Sequence, residues 1–200
     1  NYSGLDPADV SVSNTDNDAA GITINSPGDN TTESGGSFTF TTKLNSQPSS
    51  DVTIAISISD TSEGSVSQSS LTFTSSNWST EQSVLVFGVD DFLDDGNQNY
   101  TITIGAASSS DSNYYGTDPD DLSVTNIDDD TAGFSVTTIS GVTTEYGTTA
   151  TFTVKLSSQP TANVTIGVSS SNTAEGTVSP SGYTEPILHT KRIEMKSMLG

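Results

Sequence analysis

The sequence predicts an all-β protein, built as Greek-key β-sandwiches in tandem with a repeat of 112 residues. Three observations lead there. Ser, Thr, Asn, Asp and Gly dominate, and the apolar residues are mostly Val, Ile, Phe and Tyr in short runs. No window holds a sustained helical period, so strands joined by polar turns are expected instead. The chain also aligns with itself without a gap at an offset of 112, far longer than a solenoid repeat and close to the size of a sandwich domain.

The alignment pairs NYSGLDPADVSVSNTDNDAAG, residues 1–21, with NYYGTDPDDLSVTNIDDDTAG, residues 113–133. TTES at Thr31 recurs as TTEY at Thr143, FTTKLNSQP at Phe40 as FTVKLSSQP at Phe152, and TSEGSVSQS at Thr61 as TAEGTVSPS at Thr173. Of the 72 positions in 1–72, 37 are identical to their partners. The expected organisation follows: residues 1–15 are the last strand of a preceding repeat, 16–130 a complete sandwich, 131–184 the first part of a second, and 185–200 a tail outside the repeat.

Within the complete repeat, Phe38, Phe40, Thr42 and Leu44 alternate with Thr39, Thr41 and Lys43, and Val52, Ile54, Ile56 and Ile58 alternate with Thr53, Ala55 and Ser57. This is the period of a strand with one apolar face. Shorter runs at 71–73, 84–89, 100–106 and 122–127 are separated by turn-forming sets such as LNSQPSSD, SDTSEG and DDGNQ. About seven strands per repeat fit a Greek-key sandwich. Beyond Thr184 the repeat stops: of the sixteen pairs from Phe73/Glu185 to Gly88/Gly200 only the final glycines match. The tail EPILHTKRIEMKSMLG holds three of the five basic residues, the single His and both Met. A reading-frame change or a vector-derived tail is favoured over a divergent terminus. Either leaves half a sandwich, whose open apolar edge should seek a partner or self-associate.

A net charge of −20, from 25 acidic and 5 basic residues, argues against nucleic acid and anionic membrane surfaces as partners and for cations. Without Cys there is no disulfide framework, thiolate zinc site or thiol nucleophile. No apolar run is long enough to span a membrane as a helix, and the start shows no signal-peptide pattern.

The acids of the complete repeat fall in turns: Glu33; Asp60 and Glu63; Asp90, Asp91, Asp94 and Asp95; and Asp128, Asp129 and Asp130. Every second turn of a sandwich lies at the same end, so several of these groups can converge where the chain passes to the next repeat. Two like charges about 4 Å apart repel by roughly 4 kcal/mol at an effective dielectric near 20, so such a cluster calls for a cation. Calcium is the fitting one, as a hard ion taking several oxygen ligands in flexible geometry; zinc and copper want the His or Cys that the repeats lack. The plain alternative is that the acids are solvated, turn-favouring residues.

The run SLTFTSSNWSTEQSVLVFGVDDFLDDGNQNYTITI, closed by a further strand and DDD then AG, resembles the Calx-β domain. That immunoglobulin-like module occurs in sodium–calcium exchangers, integrin β4 and many large bacterial surface proteins. The resemblance covers the whole repeat. It implies an immunoglobulin-like sandwich with calcium ligands at Glu33, Asp90, Asp91, Asp128, Asp129 and Asp130. Asp95 stands where the family often has a Glu ligand, whereas Gln98 is neutral where a second Glu is expected, implying fewer or weaker sites. With Asp60 from the same set of turns, the candidate metal ligands are Glu33, Asp60, Asp90, Asp91, Asp95, Asp128, Asp129 and Asp130.

Other chemistries find less support. An EF-hand opening is imitated by Asp16, Asp18 and Gly21, but its twelfth position falls on Pro27, and on Ile139 in the second copy. The glycine-rich calcium nonapeptide is absent. Trp78 and the exposed-looking pair Tyr114 and Tyr115 suit a sugar-stacking platform, but a core or edge role is favoured. His189 in the tail has no catalytic partners, a serine triad would need a His within the repeat, and the carboxylates lack an aromatic cleft for glycoside hydrolysis. Sequons such as Asn77–Ser79 are expected by chance in so Asn- and Thr-rich a chain. The expectation is a non-catalytic calcium-binding structural or adhesive module of a large extracellular or cell-surface, bacterial protein. Its neighbours would be further repeats of the same chain, and a surface glycan or protein a further partner. The alternatives are an adhesin module independent of calcium and a calcium-sensing regulatory module.

Overall fold

The computed structural model describes residues 1–28, 30–179, 181–185 and 193–198, and among them every regular element is a strand. Ten strands build the first unit: β1 (Ile22–Asn25), β2 (Thr31–Thr32), β3 (Ser37–Leu44), β4 (Val52–Ile58), β5 (Gly64–Val66), β6 (Ser70–Phe73), β7 (Gln82–Gly88), β8 (Gln98–Ile104), β9 (Ser108–Ser109) and β10 (Leu122–Ile127). One sheet runs β1-β3-β7-β5 and the other β2-β10-β8-β4-β6, with β9 also on β4. Short β2, β5 and β9 have too few residues to show an alternation in sequence.

Alternation decides how the two sheets face each other. On β3 the burial pattern puts Phe38, Phe40, Thr42 and Leu44 inside, and β7 answers with Val84 and Val86, in register as Phe40↔Val84 and Phe38↔Val86. From the other sheet come Val52, Ile54 and Ile56 of β4, Leu71 and Phe73 of β6, Tyr100, Ile102 and Ile104 of β8, and Val124 of β10. Each fully buried side chain of this size contributes about 1.5–3 kcal/mol, so this one core accounts for the unit's cohesion. Trp78 packs half-buried against it, and its carbonyl accepts the Leu44 N–H at 2.9 Å.

Tyr114 and Tyr115 separate. Tyr114 is 1% exposed and Tyr115 73%, so Tyr114 takes the core role favoured from the sequence and the two rings form no paired platform. The reason is local: Asp111 accepts the Ser49 and Asn113 N–H groups and fixes the turn. Tyr114 then points inward, where its hydroxyl donates to the Ser46 carbonyl at 2.6 Å and accepts the Ser46 N–H at 3.0 Å. Those two N–H donors hold the Asp111 carboxyl below its ordinary range.

Six further strands follow: β11 (Phe134–Val136), β12 (Ala150–Leu156), β13 (Val164–Gly167), β14 (Thr177–Ser179), β15 (Gly182–Glu185) and β16 (Ile193–Met198). They form the sheets β11-β12-β16-β14 and β13-β15, the same order as β1-β3-β7-β5 and β4-β6. β16 is drawn from the tail in which the repeat disappears, yet it pairs with β12 and β14 as β7 pairs with β3 and β5. Ladder hydrogen bonds belong to the backbone, so a strand position survives a change of side chains that erases the sequence match. His189 lies outside the described residues. Among the described residues no helix is long and apolar enough to cross a membrane.

Candidate metal centre

The site lies where β10 ends beside β2. These two strands are parallel, with Asn126↔Thr31 and Ile127↔Thr32 in register, and the Glu33 N–H continues the ladder to the Ile127 carbonyl at 3.0 Å. The Thr31–Glu33 segment and the Asp128–Asp130 segment therefore leave the sheet side by side.

Asn126, with no exposed surface, joins the remaining pieces. Its Oδ1 accepts the Thr31 hydroxyl at 2.9 Å, and its Nδ2 donates to the Val89 carbonyl at 2.9 Å and to Glu63 Oε2 at 3.3 Å. One amide thus ties the start of the Glu33 turn, the end of the strand before Asp90 and Asp91, and the buried Glu63. Gly88 permits the approach: a Cβ there would collide with the Thr32 carbonyl oxygen and lie 2.5 Å from Asn126 Oδ1. Gly64 does the same for Glu63, since a Cβ there would lie 2.7 Å from the Tyr100 ring. Neither residue type stood out in the sequence as part of a site.

Three carboxylate groups result, each with ligand atoms within 4.8 Å of one another: Glu33, Asp91 and Asp130; Glu33, Asp90 and Asp129; and Glu63, Asp91 and Asp95. Glu33 and Asp91 each belong to two of them, so the groups adjoin through shared carboxylates. Glu63, only 7% exposed, is the member missing from the sequence-derived set. Asp60, in the same turn, has its Oδ1 accepting the Ser62 N–H and hydroxyl at 2.9 and 2.5 Å, and it stands outside the three groups. Asp128 also stands outside them. Its Oδ1 accepts the Asp130 N–H at 2.8 Å and its Oδ2 the Gly96 N–H at 2.7 Å, which fixes the turn that aims Asp130. Asp94 accepts the Ala132 N–H at 2.6 Å, binding the Asp90–Asp95 turn to the connection beyond β10. Leu93 bridges to Gln159, whose N–H reaches the Phe92 carbonyl, so the same turn also touches the second set of strands.

The electrostatics are unfavourable without a cation. Glu33 is 3% exposed, and its Oε2, like Asp130 Oδ2, is buried with no hydrogen-bond partner. Burial, then the charges of Asp128 and Asp91, push the Glu33 carboxyl up to about 7, although the Asp129 N–H works the other way. Burial, followed by Asp128 and Asp129, raises Asp130; burial also raises Glu63 against the help of Asn126. Among the described residues the single ion pair is Lys43–Glu81, and no Lys or Arg is paired with these carboxylates. An orphaned pair of buried oxygens within an all-oxygen donor set fits a hard divalent cation. Glu33, Asp91 and Asp130 would hold one, and the two adjoining groups could extend the site.

No protein-family model and no curated protein matches the chain. Among solved structures it is similar to the calcium-binding domain CBD12 of CALX1.1, at 19% identity over 86% of this chain and 74% of that one, TM-score 0.42. It is similar also to CBD12 from CALX1.2, at 15% identity over 86% and 73%, TM-score 0.38. A third is WR4, a C. elegans MSP family member, at 12% identity over 54% and 96%, TM-score 0.35. All three are distant, so what the site does has to follow from its own atoms.

Proposed function

We propose that the chain is a non-catalytic calcium-binding module of a large extracellular or cell-surface protein, in which calcium stiffens the passage from the first sandwich to the next strands. The observation that carries the reading is the triad of buried Glu33 and half-buried Asp91 and Asp130, with one buried oxygen each of Glu33 and Asp130 lacking any hydrogen-bond partner. Calcium suits it better than magnesium, which demands strict octahedral geometry and keeps its water, whereas adjoining carboxylate groups offer many oxygens of variable denticity. The mechanical part follows from the Asp90–Asp95 turn, which supplies ligands on one side and contacts Ala132 and Gln159 on the other. Ordering that turn around an ion couples ligand binding to the relative placement of the strands it touches. Small-angle scattering in calcium and then in EDTA tests this. The particle should become shorter and more flexible without the ion, and unchanged dimensions would reject the stiffening role.

A further inference from the structure

We infer that the open edge of β10 takes an added strand, an extended segment of a partner protein in which apolar residues alternate with Lys or Arg, laid along residues 122–125. The first sandwich has two flanks where its sheets end, and they are finished differently. On the flank of β5 and β6, side chains occupy the edge backbone. The Gln68 amide donates to the Ser83 carbonyl at 2.8 Å, and the Gln82 amide to the Thr72 carbonyl at 2.8 Å. Ser67 takes both backbone groups of Leu85: its N–H donates to the Leu85 carbonyl at 2.9 Å, and its hydroxyl accepts the Leu85 N–H at 3.0 Å. An edge whose backbone is occupied in this way cannot pair with another chain.

The flank of β1 and β10 is bare. β2 lies on this side of β10 but pairs only with Asn126 and Ile127, so among the described residues 122–125 have no strand beside them there. Backbone groups alternate in direction along a strand. The Ile127 carbonyl points to the β2 side, where it accepts the Glu33 N–H, so the N–H and carbonyl of Ser123 point to that side as well. Among the described residues no side chain reaches them. The edge is also preformed, because Asp121 at the start of β10 accepts the Ile104 N–H of β8 at 2.9 Å. Across the gap stands β1, the last strand of its own sheet. Between the two edges runs a groove of about 460 Å³, lined by Ile22, Ile24 and Leu122 and by Asp118 and Asp120.

These groups define the occupant. Strand addition draws affinity from backbone hydrogen bonds and selectivity from the sites that receive alternate side chains. Every second residue of a strand on β10 points between the sheets, where Ile22, Ile24 and Leu122 are half-buried on the core and offer an apolar surface for Val or Ile. Asp118 and Asp120 are exposed, and among the described residues neither has a hydrogen-bond or ion-pair partner. They select a cationic residue in the added strand, and the chain's charge of −20 steers such a segment toward them. A second copy fits worse, since it brings a further charge of −20 to an acidic groove. Neither the groove nor the open edge includes Glu33, Asp91 or Asp130, so the contact is independent of a bound cation.

The probe is a labelled peptide of about eight residues, the length of a strand, in which Val and Ile alternate with Lys. A second peptide groups the same residues into an apolar block and a basic block. Fluorescence anisotropy should show the alternating peptide binding at least about tenfold more tightly than the block peptide. Methylating one alternate set of its peptide nitrogens should abolish binding, while methylating the other set leaves it, because only one edge of the added strand faces β10. Ser123→Pro replaces the free N–H at a position where an edge strand tolerates proline, so it should weaken binding about tenfold or more with little change in the urea midpoint. Asp118→Asn and Asp120→Asn should each weaken it about two- to fivefold and reduce its sensitivity to salt. In NMR spectra of the parent chain, the bound peptide should slow hydrogen exchange of the Ser123 amide, a readout that stands even where a variant fails to fold. Absence of binding, equal binding of both peptides, indifference to both methylation patterns, or spectral changes centred on residues 90–95 would overturn the proposal. So would dimers of the chain alone that Ser123→Pro abolishes, which would assign the edge to a second copy. The same preference in calcium and in EDTA is expected, so failure of the cation site would leave this result standing.

Discussion

Replacing Glu33 with Gln removes one buried charge while keeping its shape, and the consequence should change sign with the buffer. Raising the carboxyl from its ordinary 4.5 to about 7 corresponds to about 3 kcal/mol against the folded, ionised form, at about 1.4 kcal/mol per pH unit. In EDTA at pH 8 Glu33→Gln should therefore stabilise the first sandwich by up to about 3 kcal/mol, and an amide donor facing Asp91 and Asp130 adds to this. For a domain of this size that is roughly a 10 °C rise in Tm. In calcium the same variant has lost a bridging ligand, so the rise in Tm that calcium gives the parent should shrink or vanish. Scanning calorimetry of both chains in both buffers measures all four values. A Glu33→Gln chain less stable than the parent in EDTA, or one with an undiminished calcium response, would refute the account of Glu33 as a strained ligand.

Further outcomes follow from the same geometry. Because Glu33, Glu63 and Asp130 all bind protons more tightly folded than unfolded, their stabilising effect is fully present below their ordinary range and is lost as pH rises through their folded values, about 7 for Glu33. Thermal melts in EDTA should thus show Tm falling between pH 5 and pH 8, and saturating calcium should flatten or reverse that slope, since ion and proton compete. Asp111 works oppositely, only below its ordinary 3.8. Asn126→Ala strands the Val89 carbonyl and Glu63 and leaves the Thr31 hydroxyl with Tyr100 alone, costing about 3 kcal/mol in urea unfolding and weakening calcium binding with it. Gly88→Ala forces the strand away from Thr32 and Asn126; a loss of about 2 kcal/mol is expected, and an unchanged unfolding midpoint would contradict the close approach.

Where side chains alternate over seven or eight residues, sequence and structure coincide: β3 and β4 begin and end within a residue of their apolar pattern. Burial of one face imposes that period. The acids of the site were visible as turn residues, but their division of labour was not. Asp60 and Glu63 share one turn, and only the folded chain shows that Asp60 closes it through Ser62 while Glu63 turns inward to Asn126. Asn126 itself reads as one Asn among many, because its importance lies in three partners from distant parts of the chain. Tyr114 and Tyr115 are adjacent and chemically identical, and the Asp111 turn alone assigns one to the core. The tail gave no repeat signal to show that β16 would take the place of β7, since pairing of that strand is a backbone property.

Calcium titration calorimetry on the cation-free chain, paired with melting in calcium and in EDTA, tests the central claim most directly. Saturable binding that raises Tm, and that is lost on changing Asp91 and Asp130 together to Asn, is what a cation site at Glu33, Asp91 and Asp130 requires. No heat of binding and identical melting curves in the two buffers would mean that these carboxylates are solvated turn residues and that the molecule carries its negative charge without an ion.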